Sequence, residues 1–254
     1  YKVEGFNRTF AHVVEKGTLL NLLLSYKCVK QADLRQFNPS KTGVFTEEGI
    51  SYVNSYVPVE IEPEEGSVKP MLSHFRYLIP NRVERHIILN FIAYVIQNPG
   101  KKIRWMPIVK GGKGIGKSII IDLIVTPMLG LRNVTPVSSK VLGTEFNAWQ
   151  MDTQLVVFHE LKAGETRKER MHVTDTLKSF ITDPYIQAHC KGLDPFTIHN
   201  RCNTIGLTNH EDPVVITPDE RRFVFLKTNA KPKDQCYYDG LVDWLQSNTP
   251  VMDN

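Results

Sequence analysis

Apolar residues recur along this chain in two periods, and the change from one to the other divides it into elements. Between Asn81 and Gln97, Val83, Ile87, Ile88, Phe91, Ile92, Val95 and Ile96 fall at helical spacing, with Asn81 as an N-cap and Asn98-Pro99-Gly100 as a stop. That spacing predicts a core-facing helix. Short runs apolar at nearly every position follow, Trp105 to Val109, Leu155-Val156-Val157-Phe158 and Phe223-Val224-Phe225-Leu226, and Cys202 to Leu207 reads as a further strand. Such runs fit strands buried on both faces, as in a parallel sheet. Asn133 to Val137 reads as a further strand, and Leu142 to Trp149 as an irregular or helical link. Arg167 to Ile181 reads as a charged amphipathic helix stopping before Asp183-Pro184, and Asp239 to Leu245 as a short closing helix. Tyr185 to Asn200 has the pattern of a hairpin with Lys191-Gly192-Leu193-Asp194-Pro195 at its tip. Strands and helices that alternate in this way predict an α/β core with a largely parallel sheet.

The first 57 residues follow a different pattern. Thr18 and the leucines from Leu19 to Leu24 fit either a capped apolar helix or a buried strand, and periodicity does not separate the two. Asn38 to Gly43 is a turn, and Ile50, Tyr52, Val53, Tyr56 and Val57 suggest a β segment ending at Pro58. From Pro58 to Pro70 the chain is acidic and punctuated by proline, which favours an extended, solvated connector. Residues 1–70 are therefore expected to form an accessory subdomain with an acidic linker, and residues 71–254 the main domain.

Between the run ending at Val109 and the apolar stretch Ile119 to Ile124 lies Gly111-Gly112-Lys113-Gly114-Ile115-Gly116-Lys117-Ser118. It fits G-x-x-x-x-G-K-[ST] in the setting that motif needs, strand then loop then helix. The glycines let backbone N–H groups turn inward around a polyphosphate, and the N-terminus of the next helix adds partial positive charge. Lys117 is expected to reach the β and γ phosphates of ATP, and Ser118 to ligate Mg²⁺.

Hydrolysis of a bound nucleotide also requires a positioned water and positive charge on the developing γ-phosphate oxygens. Glu160, just beyond the run Leu155–Phe158, is the candidate to orient and polarise that water, although an acid at a strand end is also commonly just solvated. Asn209 ends another buried run, where its amide can donate and accept, or simply make a turn. Arg221 and Arg222 precede the last strand and are candidates for an arginine finger, with a solvated pair as the plain alternative. Lys191, at the hairpin tip, is a candidate contact to DNA phosphate or an ordinary turn lysine. Lys162, Arg167, Lys168 and Arg170 form a second basic cluster, better read as a solvated helix face. His189-Cys190 and His199-x-x-Cys202 contain zinc-ligand types, but adjacent residues on a strand point to opposite faces, which argues against a zinc site.

The 254 residues, 41% of them hydrophobic, are enough for one large domain and a smaller attachment. A formal charge of +4 suits an acidic partner without requiring one. Cys28, Cys190, Cys202 and Cys236 are scattered with no C-x-x-C pair, so neither a disulfide framework nor a zinc ribbon is indicated, and reduced thiols in a cytoplasm are the expectation. No apolar run reaches the length of a membrane span. The chain opens at Tyr1 with neither an initiator Met nor a signal-peptide pattern and is expected to be a piece of something longer.

The order of these motifs resembles the superfamily III helicases, a branch of the AAA+ ATPases: P-loop, apolar strand ending in Glu160, Lys191-Gly192 hairpin, strand ending in Asn209, downstream arginine pair. Tyr52-Val53-Asn54-Ser55-Tyr56, Gln97-Asn98-Pro99-Gly100, Lys191-Gly192-x-Asp194-Pro195-Phe196 and Thr208-Asn209 are similar to helicase-like regions of viral and phage primase-polymerases, the poxvirus primase-helicase group among them. The resemblance covers about Ile50 to Leu226. It implies an AAA+ fold, a hexameric ring with ATP at subunit interfaces, an arginine finger given in trans, a hairpin facing a DNA channel, and a linked primase or polymerase. It makes Gly111, Gly112, Lys113, Gly114, Ile115, Gly116, Lys117 and Ser118 the nucleotide cradle. On the same carry-over Glu160 becomes the Walker B acid beside Mg²⁺, Asn209 the sensor, and Lys191 the channel lysine. One position departs from the pattern: many relatives place two acids where this chain has His159-Glu160, which weakens the anchoring of Mg²⁺.

The expected function is an ATP-hydrolysing, helicase-like motor of DNA replication. Two alternatives stand beside it: a nucleotide-stabilised ring that tethers a polymerase to DNA with little turnover, and a small-molecule P-loop kinase.

Overall fold

A computed structural model describes residues 19–25, 32–61, 64–143, 147–162, 164–189 and 194–248. Lys191 with Gly192 and Leu193 of the hairpin tip, Cys28 and Cys190 lie outside them. By contacts the chain divides into two units, Tyr1–Gln36 with Lys41–Asn54, and Phe37–Ser40 with Ser55–Asn254.

In the smaller unit the leucine run forms a helix, α1 (Leu19–Ser25). Three strands follow: β1 (Leu34–Gln36), β2 (Val44–Glu47) and β3 (Ile50–Asn54), with β3 in the middle, antiparallel to β2 and parallel to β1. Glu48 and Gly49, both at positive φ (50° and 81°), make the two-residue turn between β2 and β3. Such a turn matches the twist of the strands it joins. Phe45 stacks on Tyr52 across the hairpin at 5.5 Å.

The larger unit begins with α2 (Lys69–Leu78), a helix that lies across the expected end of the connector; Pro70 in its first turn costs no hydrogen bond there. α3 (Arg82–Gln97) starts where the spacing predicts, with the Asn81 side chain accepting from the N–H groups of Val83 and Glu84. Its buried stripe is Ile88, Phe91, Ile92 and Val95. At about 1.5–3 kcal/mol per fully buried large apolar side chain, that stripe outweighs the cap, which contributes about 1 kcal/mol.

β4 (Met106–Lys110) leads through the Gly-rich loop into α4, which runs as Lys117–Ile120, a π turn over Ile121–Val125, and Thr126–Leu129. Pro127 has no N–H to return to the preceding turn, and the helix widens just before it, with Thr126 N–H donating to Ile121 O. Then follow β5 (Val134–Val137), β6 (Leu155–Phe158), α5 (Arg167–Thr182), the hairpin β7 (Tyr185–Ala188) and β8 (Phe196–His199), β9 (Asn203–Thr208), β10 (Phe223–Lys227) and α6 (Gln235–Ser247). α5 carries a full capping box, Thr166 with Glu169. Asn147 clamps the outer edge of β7, donating to Gln187 O and accepting from His189 N–H.

The central sheet has the order β10-β4-β9-β6-β5 and every pairing is parallel. Its two faces are served by alternate residues. Val109, Leu155, Val157, Ile205 and Leu207 pack under α2, α3, α4 and α6, while Met106, Ile108, Val156 and Phe158 pack against α5 through Val173, Leu177, Phe180 and Ile181. This is an α/β P-loop NTPase fold, with helices on both faces of a parallel sheet. No helix of the described residues is long and apolar enough to cross a membrane.

Candidate functional site

In an open parallel sheet the carboxyl ends of the strands form the edge where ligands bind, and the register fixes what meets there. Lys110 is level with Thr208, and Phe158 with Gly206, so the Gly-rich loop, Asn209 and Glu160 leave the sheet side by side. They line one cleft of about 490 Å³, together with His159, Thr208, Gln235 and Tyr238. Lys113 through Ser118 form its floor; Gly111 and Gly112 lie at the root of the loop, behind the lining.

The loop is shaped by Gly114 and Gly116, at φ of 71° and 83°. A side chain at Gly116 would be strained in this conformation, and its Cβ would stand 2.8 Å from His74 Cε1. At Gly111 a Cβ would meet Thr228 Cγ2 at 2.2 Å, so this glycine serves the packing of β4 against the segment after β10. The Lys117 ammonium donates to the carbonyls of Gly111 (2.9 Å) and Gly112 (2.5 Å), and burial lowers its pKa. It lies folded along the loop it is expected to serve, with weak acceptors that phosphate oxygens outcompete.

Glu160 is set by its backbone. Ser139 Oγ donates to Glu160 O (2.5 Å) and accepts from Lys162 N–H (3.0 Å), while Leu161 N–H donates to Leu207 O (2.9 Å). The end of β6 is thereby tied to the end of β9, and the Glu160 side chain stays exposed on the cleft. Thr208 Oγ1 donates to Leu161 O and accepts from His210 N–H, turning the chain immediately around Asn209. His159 Nε2 lies 3.6 Å from Asp122 Oδ1, on α4 one helical turn beyond Ser118. Partial burial raises the Asp122 pKa, and the nearby His159 opposes that. The hydroxyl of Ser118 and the carboxylate of Glu160 are hard oxygen donors of the kind Mg²⁺ takes, few in number as is usual when substrate phosphates complete the shell. Among the described residues no group of three or more His, Cys, Asp or Glu is placed to hold a metal.

Arg221 and Arg222 lie elsewhere. They precede β10, whose Phe223 is level with Met106 at the start of β4, so they sit at the amino edge of the sheet, roughly 20 Å from the loop at about 3.3 Å per residue. Arg221 is exposed, whereas Arg222 reaches Glu220 Oε1 (3.4 Å), whose other oxygen is 3.2 Å from Lys178 Nζ. Lys191 falls outside the described residues.

Comparison with known proteins decides the relationship. Residues 109–222 match a family described as a family of unknown function, DUF5906. The DNA primase-polymerase of Nitratiruptor phage NrS-1 is 28% identical over 212 residues, which is 78% of this chain and 28% of that protein. The apo structure of the NrS-1 C-terminal region (305–718) superposes with a TM-score of 0.72 at 23% identity, over 84% of this chain and 52% of that one. A second apo form of the same region gives 0.70 at 20% identity, over 90% and 57%. This chain is related to the NrS-1 primase-polymerase and has the fold of its C-terminal region. It spans little more than a quarter of the NrS-1 protein and about half of the solved NrS-1 region.

Gln235 and Tyr238 of the cleft lining, and His74 behind the loop, were not among the sequence candidates. Gln235 and Tyr238 belong to the first turn of α6, which begins four residues earlier than the apolar pattern predicts. Asp234 was the available signal: its side chain caps the helix by accepting from Tyr237 N–H. His74, behind the loop, is on α2, of which only Lys69 and Pro70 fall in the expected connector; residues 71–78 had no sequence prediction.

Proposed function

We propose that this chain binds ATP with Mg²⁺ in the cleft at Gly111–Ser118 and hydrolyses it as the helicase-like motor of a DNA-replication protein. In this reading copies of the chain form a ring on DNA, hexameric as the family resemblance implies, joined to a primase or polymerase and working in the cytoplasm of an infected host. One observation carries the proposal: the Gly-rich loop, Glu160 and Asn209 line one cleft from neighbouring parallel strands.

The backbone N–H groups of the loop bind the polyphosphate, and Lys117 exchanges its carbonyl acceptors for phosphate oxygens. Glu160 accepts a hydrogen bond from the attacking water and orients it, and Asn209 holds that water or the γ-phosphate. Mg²⁺, held through Ser118 and Glu160, supplies positive charge to the phosphate oxygens. Arg221, remote from its own cleft, is the residue to complete the site of a neighbouring copy. Lys191 at the hairpin tip contacts DNA phosphate.

His159 ahead of Glu160 favours a second reading, a nucleotide-held ring with little turnover. ATP hydrolysis measured with and without single-stranded DNA separates the two, with mass in solution recorded alongside. DNA-stimulated turnover lost in Lys117→Ala and Glu160→Gln supports the motor. Tight ATP binding and ring assembly without turnover support the scaffold. Phosphate transfer to a small acceptor by a monomer defeats both.

A further inference from the structure

At the opposite end of the sheet from the nucleotide cleft is a second pocket, of about 380 Å³, a size within the range of ligand sites. It lies where β4 and β9 begin and β8 ends. Lys101, Lys102 and Arg104 enter from the segment before β4, His199 from the end of β8 and Arg201 from the segment before β9, and among the described residues no Asp or Glu lines it. Cations from separated parts of the chain meet in one concavity, with Asp183 behind it acting on Lys102, and their mutual repulsion costs folding free energy that an anion relieves.

The pocket is built rather than draped. The Asn200 side chain, 3% exposed, donates to Phe180 O (2.7 Å) and Asp183 O (2.9 Å), fastening the end of α5 to the return of the hairpin. Lys102 donates to Cys202 O at 2.7 Å and lies over the Phe180 ring. Burial is the main cause that pulls its pKa down to about 8; Cys202 and Asp183 oppose this, while Arg104 adds to it. Beside the pocket, Tyr185 and His199 are cross-strand partners in β7 and β8, their rings 4.7 Å apart and Tyr185 59% exposed. An exposed ring next to a cationic pocket is the pairing that single-stranded nucleic acid uses, stacking for a base and positive charge for its phosphate.

We propose that this pocket is a second nucleic-acid contact, in which Lys101 and Arg104 hold a backbone phosphate of single-stranded DNA while the adjacent base stacks on Tyr185. The contact is sequence-independent and separate from the nucleotide cleft and the hairpin tip. An acidic protein segment satisfies the cations but makes no use of the ring.

The test is fluorescence anisotropy of a labelled oligothymidylate on the 254-residue chain without nucleotide, across a salt series. Lys101→Ala with Arg104→Ala is expected to weaken binding and to lower the slope of log affinity against log salt by about 0.7–1.4, one or two phosphate contacts. Tyr185→Ala is expected to weaken binding about 5- to 100-fold, and Tyr185→Phe to restore it. Both outcomes count only with an unchanged melting temperature and unchanged ATP binding; a Lys101→Gln, Arg104→Gln variant, which removes the charges but keeps most of the side-chain length, replaces the double alanine variant if that one is unstable. Unaltered affinity and slope in a folded double variant overturn the proposal. So does equal displacement of the oligonucleotide by polyglutamate, which points to an acidic protein. A free deoxynucleoside monophosphate that raises the melting temperature while oligonucleotide binding ignores the pocket variants overturns it in favour of a mononucleotide site.

Discussion

The imidazole of His74 holds the glycine that turns the phosphate loop: its Nε2 lies 3.0 Å from the carbonyl oxygen of Gly116, and its Nδ1 3.0 Å from the hydroxyl of Tyr237. A carbonyl only accepts, so Nε2 carries the proton, and in the neutral ring Nδ1 then accepts from the Tyr237 O–H. Burial pushes the His74 pKa below its ordinary value; the Gly116 carbonyl opposes this, and Lys233 adds to it. Tautomer and charge state are therefore both set by what surrounds a ring with no solvent exposure.

Protonating His74 converts Nδ1 from acceptor to donor, so the Tyr237 hydroxyl must accept instead and its own proton loses its acceptor, and the charge is desolvated. The sign follows from linkage: the folded pKa is lowered, so the contribution is fully present above the unfolded value of about 6.5 and is lost as pH falls toward the folded one. Stability, followed by urea unfolding between pH 7.5 and 5, is expected to fall more steeply in the parent than in His74→Gln. That variant keeps a donor near Gly116 and does not titrate.

Gly116→Ala combines a positive φ with a Cβ 2.8 Å from His74 Cε1, and backbone strain of this kind costs on the order of 1–3 kcal/mol. The loop is expected to leave its cradle conformation before the domain unfolds. ATP affinity should drop at least tenfold, with a melting temperature lowered by only a few degrees. A variant with parental ATP affinity would show that the left-handed turn is not needed for binding.

The central sheet was legible because β4, β6 and β10 are short apolar runs set between helical patterns, as a covered parallel sheet requires. Asn81 and Asn98 bounded α3 for a similarly local reason, the hydrogen-bonding side chain that stands at each end. The cleft was partly legible: the Gly-rich loop is a contiguous motif, while Glu160 and Asn209 were visible only as polar residues following apolar runs. His74, Tyr238 and the basic pocket were not legible. His74 meets Gly116 and Tyr237, 42 and 163 residues on, Tyr238 meets Tyr77 161 residues back, and Lys102 meets Cys202 100 residues on; no local period encodes a contact made by packing. The pairing of Arg222 with Glu220 was not legible for another reason: the carboxylate is only two residues upstream but becomes buried in the fold.

The Asn81 cap provides a stability test independent of nucleotide. Its side-chain oxygen satisfies two N–H groups of α3, at 2.9 and 3.2 Å. Asn81→Ala is expected to cost about 0.5–2 kcal/mol in urea unfolding, and Asn81→Asp to cost little, because a carboxylate also accepts and is favoured at a helix N-terminus. Equal losses in both variants would place the energy in packing.

Asp122 bears on the missing second acid. It stands one turn past Ser118 and 3.6 Å from His159, so a carboxylate does approach the strand end where the helicase-like resemblance implies an additional acid. Asp122→Asn is expected to raise the Mg²⁺ concentration for half-maximal turnover several-fold while leaving ATP binding without Mg²⁺ unchanged. His159→Asp is expected to move the same parameter the other way. If neither variant alters the Mg²⁺ dependence, Glu160 and Ser118 carry the ion without help from this pair.

The two arginines before β10 are separable because only one is engaged. Arg222 shares Glu220 with Lys178, and the Glu220 side chain is 2% exposed, so removing Arg222 leaves a buried carboxylate with one cation fewer. Arg222→Ala is expected to cost about 1–2 kcal/mol of stability, the lower end of the range for such pairs because the Arg222 side chain is itself about a third exposed. Arg221 is exposed and distant from its own cleft, so Arg221→Ala should leave stability and ATP binding intact while reducing turnover at least 100-fold. Mixing discriminates the arrangement in space. A finger reaching the neighbouring cleft predicts that Arg221→Ala and Lys117→Ala copies, each inactive alone, recover measurable turnover together, because some interfaces then pair an intact loop with an intact arginine. Turnover that stays absent in every mixture, in rings shown by mass to contain both variants, would remove Arg221 from the site.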